Sequence, residues 1–438
     1  MNKVLYILIF IVFSSCLNDK SKQSDKSTDN LTVQEKLISQ SFSDVDSLLT
    51  IDNGKFWGKN LYGSLIFIEP KTRVFYSNEN NATNSFNAVG SMYKDTLPND
   101  INIANTAIDW NNKRWSMVML PLPTEKISRN NLIIHELFHR LQPEIGYESL
   151  QELDNGHLDI YNGRLLLRLE LQALEEALKS SEETIKLNHI KNALAFRRKR
   201  HETIEIKKAE NSLELNEGLA EYTAIMLSGR GENDMRKHLI ESKNNFYTNP
   251  TFVRSFAYQT IPIYGYLLSS MKPNWHKEID RNTNLIEYFI DAFQIESNDI
   301  KSIEQVAEQN NYQYQLIVKE ETEREEKRIE KIAQLKTKFI ESQTLELPFQ
   351  NMNISFDPRN ITPLEDFGTV YPNLRVTDNW GILTVENGAL LASNWSKVTV
   401  SEPTEISNEL VKGDGWQLEL NIEWKVEKID NKFKLIKK

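Results

Sequence analysis

The chain has one cysteine, Cys16, in 438 residues. That excludes an intrachain disulfide and any metal site built from clustered thiolates. Positive charge is also short: 52 Lys and Arg stand against 62 Asp and Glu, a formal net charge of −10. Nucleic acid is a poor partner for such a surface. Long hydrophobic runs are missing as well. The apolar stretch Val4 to Phe13 is too short for a stable membrane-spanning helix. Charged residues at 26% and hydrophobic residues at 39% are globular values, and the length suits two or three folding units.

The chemistry is concentrated in Asn130 to Gln142, NNLIIHELFHRLQ. Leu132, Ile133, Leu137, Phe138 and Leu141 give this stretch the apolar body of a buried helix, with Ser128 placed to cap it and Pro143 to end it. On a helix His135 and His139 stack on one face, so both imidazoles can address one metal ion. Zn²⁺ suits two His nitrogens, and a catalytic zinc adds a third protein ligand and keeps one position for water. Glu136 falls on the side where it can take a proton from that water. A second helical pattern, Asn211 to Ser228, reads NSLELNEGLAEYTAIMLS and carries Glu217 and Glu221 one turn apart. Two carboxylates on an otherwise apolar helix are costly to bury without a positive partner. One zinc supplies that charge, with Glu217 as third ligand and Glu221 accepting the distal N–H of a ligand histidine.

HELFH followed by NEGLAEY resembles the gluzincin clan of zinc peptidases, and within it the NEG-type glutamate motif of aminopeptidase-N-like enzymes. The resemblance covers roughly Leu120 to Leu268. It implies a thermolysin-like α+β catalytic domain with one Zn²⁺ per chain, held by His135, His139 and Glu217. Glu136 would be the general base, and the substrate a peptide or protein. Gluzincins often place a tyrosine downstream to donate to the oxyanion, which implies Tyr258 or Tyr264, with Tyr266 behind. Tyr258 loosely matches a YxxG pattern in which Ile261 replaces the glycine. The strand before the zinc helix, Trp115 to Leu120, is implied as the sheet edge that pairs with an extended substrate. The chain departs from the pattern in a longer segment between the motifs and in having no GAMEN-like stretch. The metzincin pattern does not fit, because Gln142 and Ile145 stand where its glycine and third histidine belong. The alternatives are a peptide- or cell-wall-binding lipoprotein with a structural zinc, and a non-peptide metallohydrolase. A structural zinc has no use for Glu136.

In chain order, residues 1–15 read as a signal peptide, with Lys3 before the apolar run. Ser14-Ser15-Cys16 resembles a bacterial lipoprotein cleavage box, which implies lipidation of Cys16 and anchoring to a cell-envelope membrane. Residues 16–30 read as a flexible tether. Residues 31–343 form the expected metallopeptidase domain, strand-rich over 31–122 and helical over 123–343. LYGSLIFIEP and TRVFYSN read as strands, and Asn111-Asn112 as the turn of a hairpin. Leu158 to Lys179 and Glu183 to Arg200 read as an antiparallel helical pair. His157, His189 and His201 lack metal-ligand spacing, and the run Arg197 to Arg200 reads as a solvated face, with binding of a substrate carboxylate as the alternative. Residues 344–438 read as a small all-β accessory domain. There Asn387-Gly388 signals a hairpin, and Trp416, Leu418, Leu420, Ile422, Trp424 and Val426 alternate as one half-buried strand.

Overall fold

The computed structural model describes residues 31–148, 150–296, 302–356 and 361–438. The expected signal peptide, tether and lipidated Cys16 lie outside the described residues. The fold is α+β. Two compact units are distinguished: the N-terminal part together with Leu219–Met235, and Leu150–Gly218 together with Arg236–Lys438.

The first unit opens with helix α1 (Val33–Asp52), where a strand-rich region was expected. A capping box starts it: the Thr32 hydroxyl accepts from the Glu35 N–H at 3.2 Å, and the Glu35 carboxylate accepts from the Thr32 N–H at 3.0 Å. Ile38, Phe42, Val45 and Leu49 then bury one face. A six-stranded sheet follows, formed by β1 (Leu65–Ile68), β2 (Val74–Ser77), β3 (Asn87–Val89), β4 (Met92–Thr96), β5 (Thr106–Trp110) and β6 (Lys113–Met119) in the order β3-β4-β2-β1-β6-β5. The expected Asn111-Asn112 turn is present. Both residues have positive φ, 51° and 56°, which asparagine tolerates, and Trp110 pairs with Lys113 across it.

One expectation fails in this sheet. Strand β6 is not an edge: it runs parallel to β1 and antiparallel to β5, so both of its sides are paired. Its buried Trp115, Met117 and Val118 suit an interior place, and the outer position falls to β5. Helix α2 (Lys126–Leu141) begins earlier than its apolar pattern. Glu125 caps it instead of Ser128, its carboxylate accepting the N–H groups of Ile127 and Ser128 at 2.9 and 2.6 Å. A 3₁₀ turn, Gln142–Ile145, contains Pro143 and ends the run. Ser116 of β6 donates to the Glu136 carbonyl at 3.0 Å and so ties α2 to the sheet.

In the second unit α3 (Tyr161–Lys179) and α4 (Glu183–Arg200) pack along one another, as expected. Helix α5 (Ile204–Leu213), a π-helical turn Glu214–Gly218 and α6 (Leu219–Leu227) then run without a break, the unit boundary falling after Gly218. Helices α7 (Glu232–Phe246), α8 (Ala257–Ser269), α9 (Leu285–Ala292), α10 (Ile303–Gln309) and α11 (Tyr314–Lys336) follow. The glycine of NEG has a packing reason: a Cβ on Gly218 would lie 2.6 Å from Ile261 Cγ1 and 3.1 Å from the Ala257 carbonyl on α8.

The basic run on α4 is a solvated face only in part: Lys199 is exposed and Arg198 half-buried, but Arg197 and Arg200 turn inward. Arg197 is 0% and Arg200 3% exposed. Arg197 donates to Glu170 at 2.9 Å and pairs with Glu214, while Arg200 reaches both Glu170 and Glu210 at 2.7 Å. His157 and His201 both address Glu210, at 2.7 and 2.9 Å. His189 faces the Tyr312 hydroxyl at 2.6 Å. The three histidines are therefore engaged in the packing of this unit, consistent with their spacing.

Residues 344–438 contribute two sheets, of seven and six strands, around a shared core that includes Leu345, Val376, Leu383, Val398, Trp416 and Leu418. Two local readings fail here. The strands flanking Asn387-Gly388, Gly381–Val385 and Ala389–Leu391, lie in different sheets. The turn bonds outward instead, Glu386 and Asn387 donating to the Gly415 carbonyl and Gly388 to that of Pro372. Likewise the alternation from Trp416 to Val426 is broken. Trp416–Leu420 and Trp424–Ile429 belong to separate sheets, and Ile422, in the link, is 87% exposed.

Candidate metal centre

Helix α2 carries His135 and His139 one turn apart, packed against α6. Ring orientation is set by oxygens at Nδ1. His135 Nδ1 lies 3.0 Å from Glu221 Oε2, and His139 Nδ1 lies 2.8 Å from Gln142 Oε1. A carboxylate and an amide oxygen only accept, so in each neutral ring the proton sits on Nδ1 and the lone pair on Nε2. The two Nε2 atoms face each other at 3.1 Å. Two lone pairs at that separation repel unless a cation or an extra proton lies with them. Nitrogens held about 2.0–2.1 Å from one tetrahedral ion stand roughly 3.3 Å apart, close to what is seen.

Glu217 sits on the π-helical turn, one helical turn before Glu221. One ligand atom each from His135, His139 and Glu217 lie within 4.8 Å of one another. Two imidazole nitrogens and a carboxylate oxygen are the donor set that a catalytic zinc takes. Of the expected site residues, His135, His139 and Glu217 each offer one atom to this candidate group, and Glu221 lies on the far nitrogen of His135. Glu136 is 4% exposed, with its backbone held by Ser116.

The tyrosines separate. Tyr258 donates to Glu217 Oε2 at 2.5 Å, so it belongs to the surroundings of the ligand set. Tyr264 is fully buried and donates to Glu170 at 2.9 Å. Burial and the adjacent Glu170 carboxylate raise its pKa well above the ordinary value, and its hydroxyl is committed to Glu170 rather than to the candidate metal group.

Sequence reasoning missed Gln142, Asn131 and Arg230. Gln142 follows His139 by one helical turn, which is a readable spacing. Asn131 precedes His135 by four residues, again about one turn, and donates to Glu221 Oε1 at 2.9 Å. Arg230 carried no local signal. Comparison with family models, with curated proteins and with solved structures found no match to this chain.

Proposed function

We propose that the protein is a zinc-dependent peptidase of gluzincin type, with one zinc per chain. The reading rests on the two Nε2 atoms at 3.1 Å, each on a ring whose Nδ1 addresses a side-chain oxygen. When bound, zinc polarises a carbonyl and makes water a stronger nucleophile at neutral pH. The remaining steps belong to side chains. Glu136 accepts a proton from the attacking water on its carboxylate and returns it to the leaving amine. Glu221 and Gln142 keep the two rings turned inward. Tyr258 steadies Glu217 and, on release from it, can donate to the developing oxyanion. The peptide or protein substrate, in extended form, adds its backbone to the open edge at β5 rather than to β6.

The test is metal analysis with a peptide-library digest. The protein is expected to hold about one zinc per chain, and Glu136→Gln to retain it while hydrolysis falls roughly 10²-fold or more. A folded, unchelated preparation without zinc would sink the metal centre. Unchanged turnover in Glu136→Gln would remove Glu136 as the base. Zinc with no cleavage of any peptide by the unaltered protein would favour a structural zinc or a non-peptide hydrolase. We also propose lipid anchoring to the cell envelope through Cys16, with no role for nucleic acid. Cys16→Ser is expected to move the protein from the membrane to the soluble fraction, and its retention on membranes would refute the anchor.

A further inference from the structure

Beyond the histidines, the first unit contains a chain of side chains with a fixed direction. Glu221 is engaged at both oxygens, Oε2 by His135 Nδ1 at 3.0 Å and Oε1 by Asn131 Nδ2 at 2.9 Å. The other end of the Asn131 amide, Oδ1, accepts from Arg230 Nη1 at 2.6 Å, and the same nitrogen donates to Ser228 Oγ at 2.6 Å. The polarity follows from the groups themselves. A guanidinium only donates, so the amide oxygen of Asn131 must face Arg230 and its NH₂ must face Glu221. A carboxylate only accepts, so the proton at the next contact lies on His135 Nδ1. Turning the Asn131 amide over would set donor against donor and oxygen against oxygen.

The backbone brings these groups together. Asn131 lies one helical turn before His135 on α2 and is 9% exposed. Arg230 returns to α2 because the chain reverses after α6. Ser228 N–H donates to the Ala224 carbonyl at 3.0 Å, and Gly229 follows at φ 90°. A Cβ on Gly229 would also meet Leu48 at 3.2 Å.

We infer that Arg230 and Asn131 are positioning residues of the metal centre, a relay that fixes the Glu221 carboxylate and, through it, the ring of His135 with Nε2 toward the metal. The inference rests on the metal reading above. Asn131→Asp keeps a partner for Arg230 but turns a carboxylate toward Glu221. Asn131→Leu removes both contacts at similar size. Arg230→Met releases the far end.

The measurement is the zinc dissociation constant of the full chain, from competition with a chromogenic chelator, with the unfolding midpoint of the chelated protein reporting general damage. Both Asn131 variants are expected to bind zinc about tenfold more weakly or worse, the effect of losing a ligand's supporting partner. Arg230→Met should weaken binding less. The double variant Asn131→Leu/Arg230→Met should be no weaker than Asn131→Leu, because Arg230 acts through Asn131. Unchanged zinc affinity in both Asn131 variants, or additive losses in the double variant, overturns the relay. If the Asn131 variants do not fold, unchanged affinity in Arg230→Met overturns it. An unaltered protein that binds no zinc fails earlier and brings down the metal reading itself, so the two failures are distinguishable.

Discussion

Replacing Glu214 by glutamine should make the protein more stable at pH 8 and change little at pH 5. The reason is a charge imbalance in the buried cluster beside α4. Three carboxylates, Glu170, Glu210 and Glu214, face two guanidiniums, Arg197 and Arg200. Burying a net negative charge is costly, and a bound proton relieves it. Burial pushes the Glu214 carboxyl up from 4.5 to about 7; Arg197 opposes this, and Glu210 adds to it. A raised pKa means that the folded state holds the proton more tightly than the unfolded one. The associated stability is complete below pH 4.5 and lost as pH rises through 7, an amplitude of about 3 kcal/mol at 1.36 kcal/mol per pKa unit. Glutamine mimics the protonated acid and has nothing to lose. His201, lowered by burial against the pull of Glu210, acts in the opposite sense: stability falls as pH drops below its unfolded pKa near 6.5. That contribution is common to both proteins and cancels in their difference. Glu210, held far down because the pull of Arg200 and His201 outweighs burial, acts only below pH 4.5. The assay is urea unfolding of chelated protein at intervals from pH 5 to 8. The Glu214→Gln advantage should grow by roughly 2–3 kcal/mol across that range. A pH-independent difference would refute a buried proton on Glu214.

Two further predictions concern the metal centre. Glu217→Ala should lose zinc and activity together, whereas Glu221→Ala keeps three ligands and should bind zinc about 10–100-fold more weakly, with activity restored by excess zinc. The reverse pattern would exchange their roles, and full retention in both would place the third ligand elsewhere. Tyr258→Phe separates two uses of one hydroxyl. A loss in kcat at unchanged zinc affinity marks an oxyanion donor, weaker zinc binding marks a support for Glu217, and neither change removes Tyr258 from the site.

What could be read from the sequence is what repeats at short range. The histidine pair and the two glutamates each lie one turn apart on a single helix, so their shared face follows from helical geometry alone. The Asn111-Asn112 turn follows from two residues that tolerate positive φ. Helix α1 is equally legible, since Thr32 and Glu35 form a capping box, although the strand patterns that follow it dominate the region. The failures share a cause of another kind. Asn387-Gly388 has the chemistry of a hairpin, yet its flanking strands pair with other strands, the first with those holding Val376 and Leu418 and the second with those holding Val370 and Val398. The alternation after Trp416 is genuine but serves two sheets. The arginines of α4 look like surface charge until Glu170, Glu210 and Glu214 arrive from other helices to neutralise them. A pattern shows which face of an element is special, whereas the partner for that face is set by tertiary pairing. Asn131 and Arg230 make the same point at the metal centre. One could be located from its helical distance to His135, and the other needed the turn at Gly229 to bring it back. The supports of a proposed metal ligand can thus be spread along the sequence even when the proposed ligands themselves lie in two short motifs.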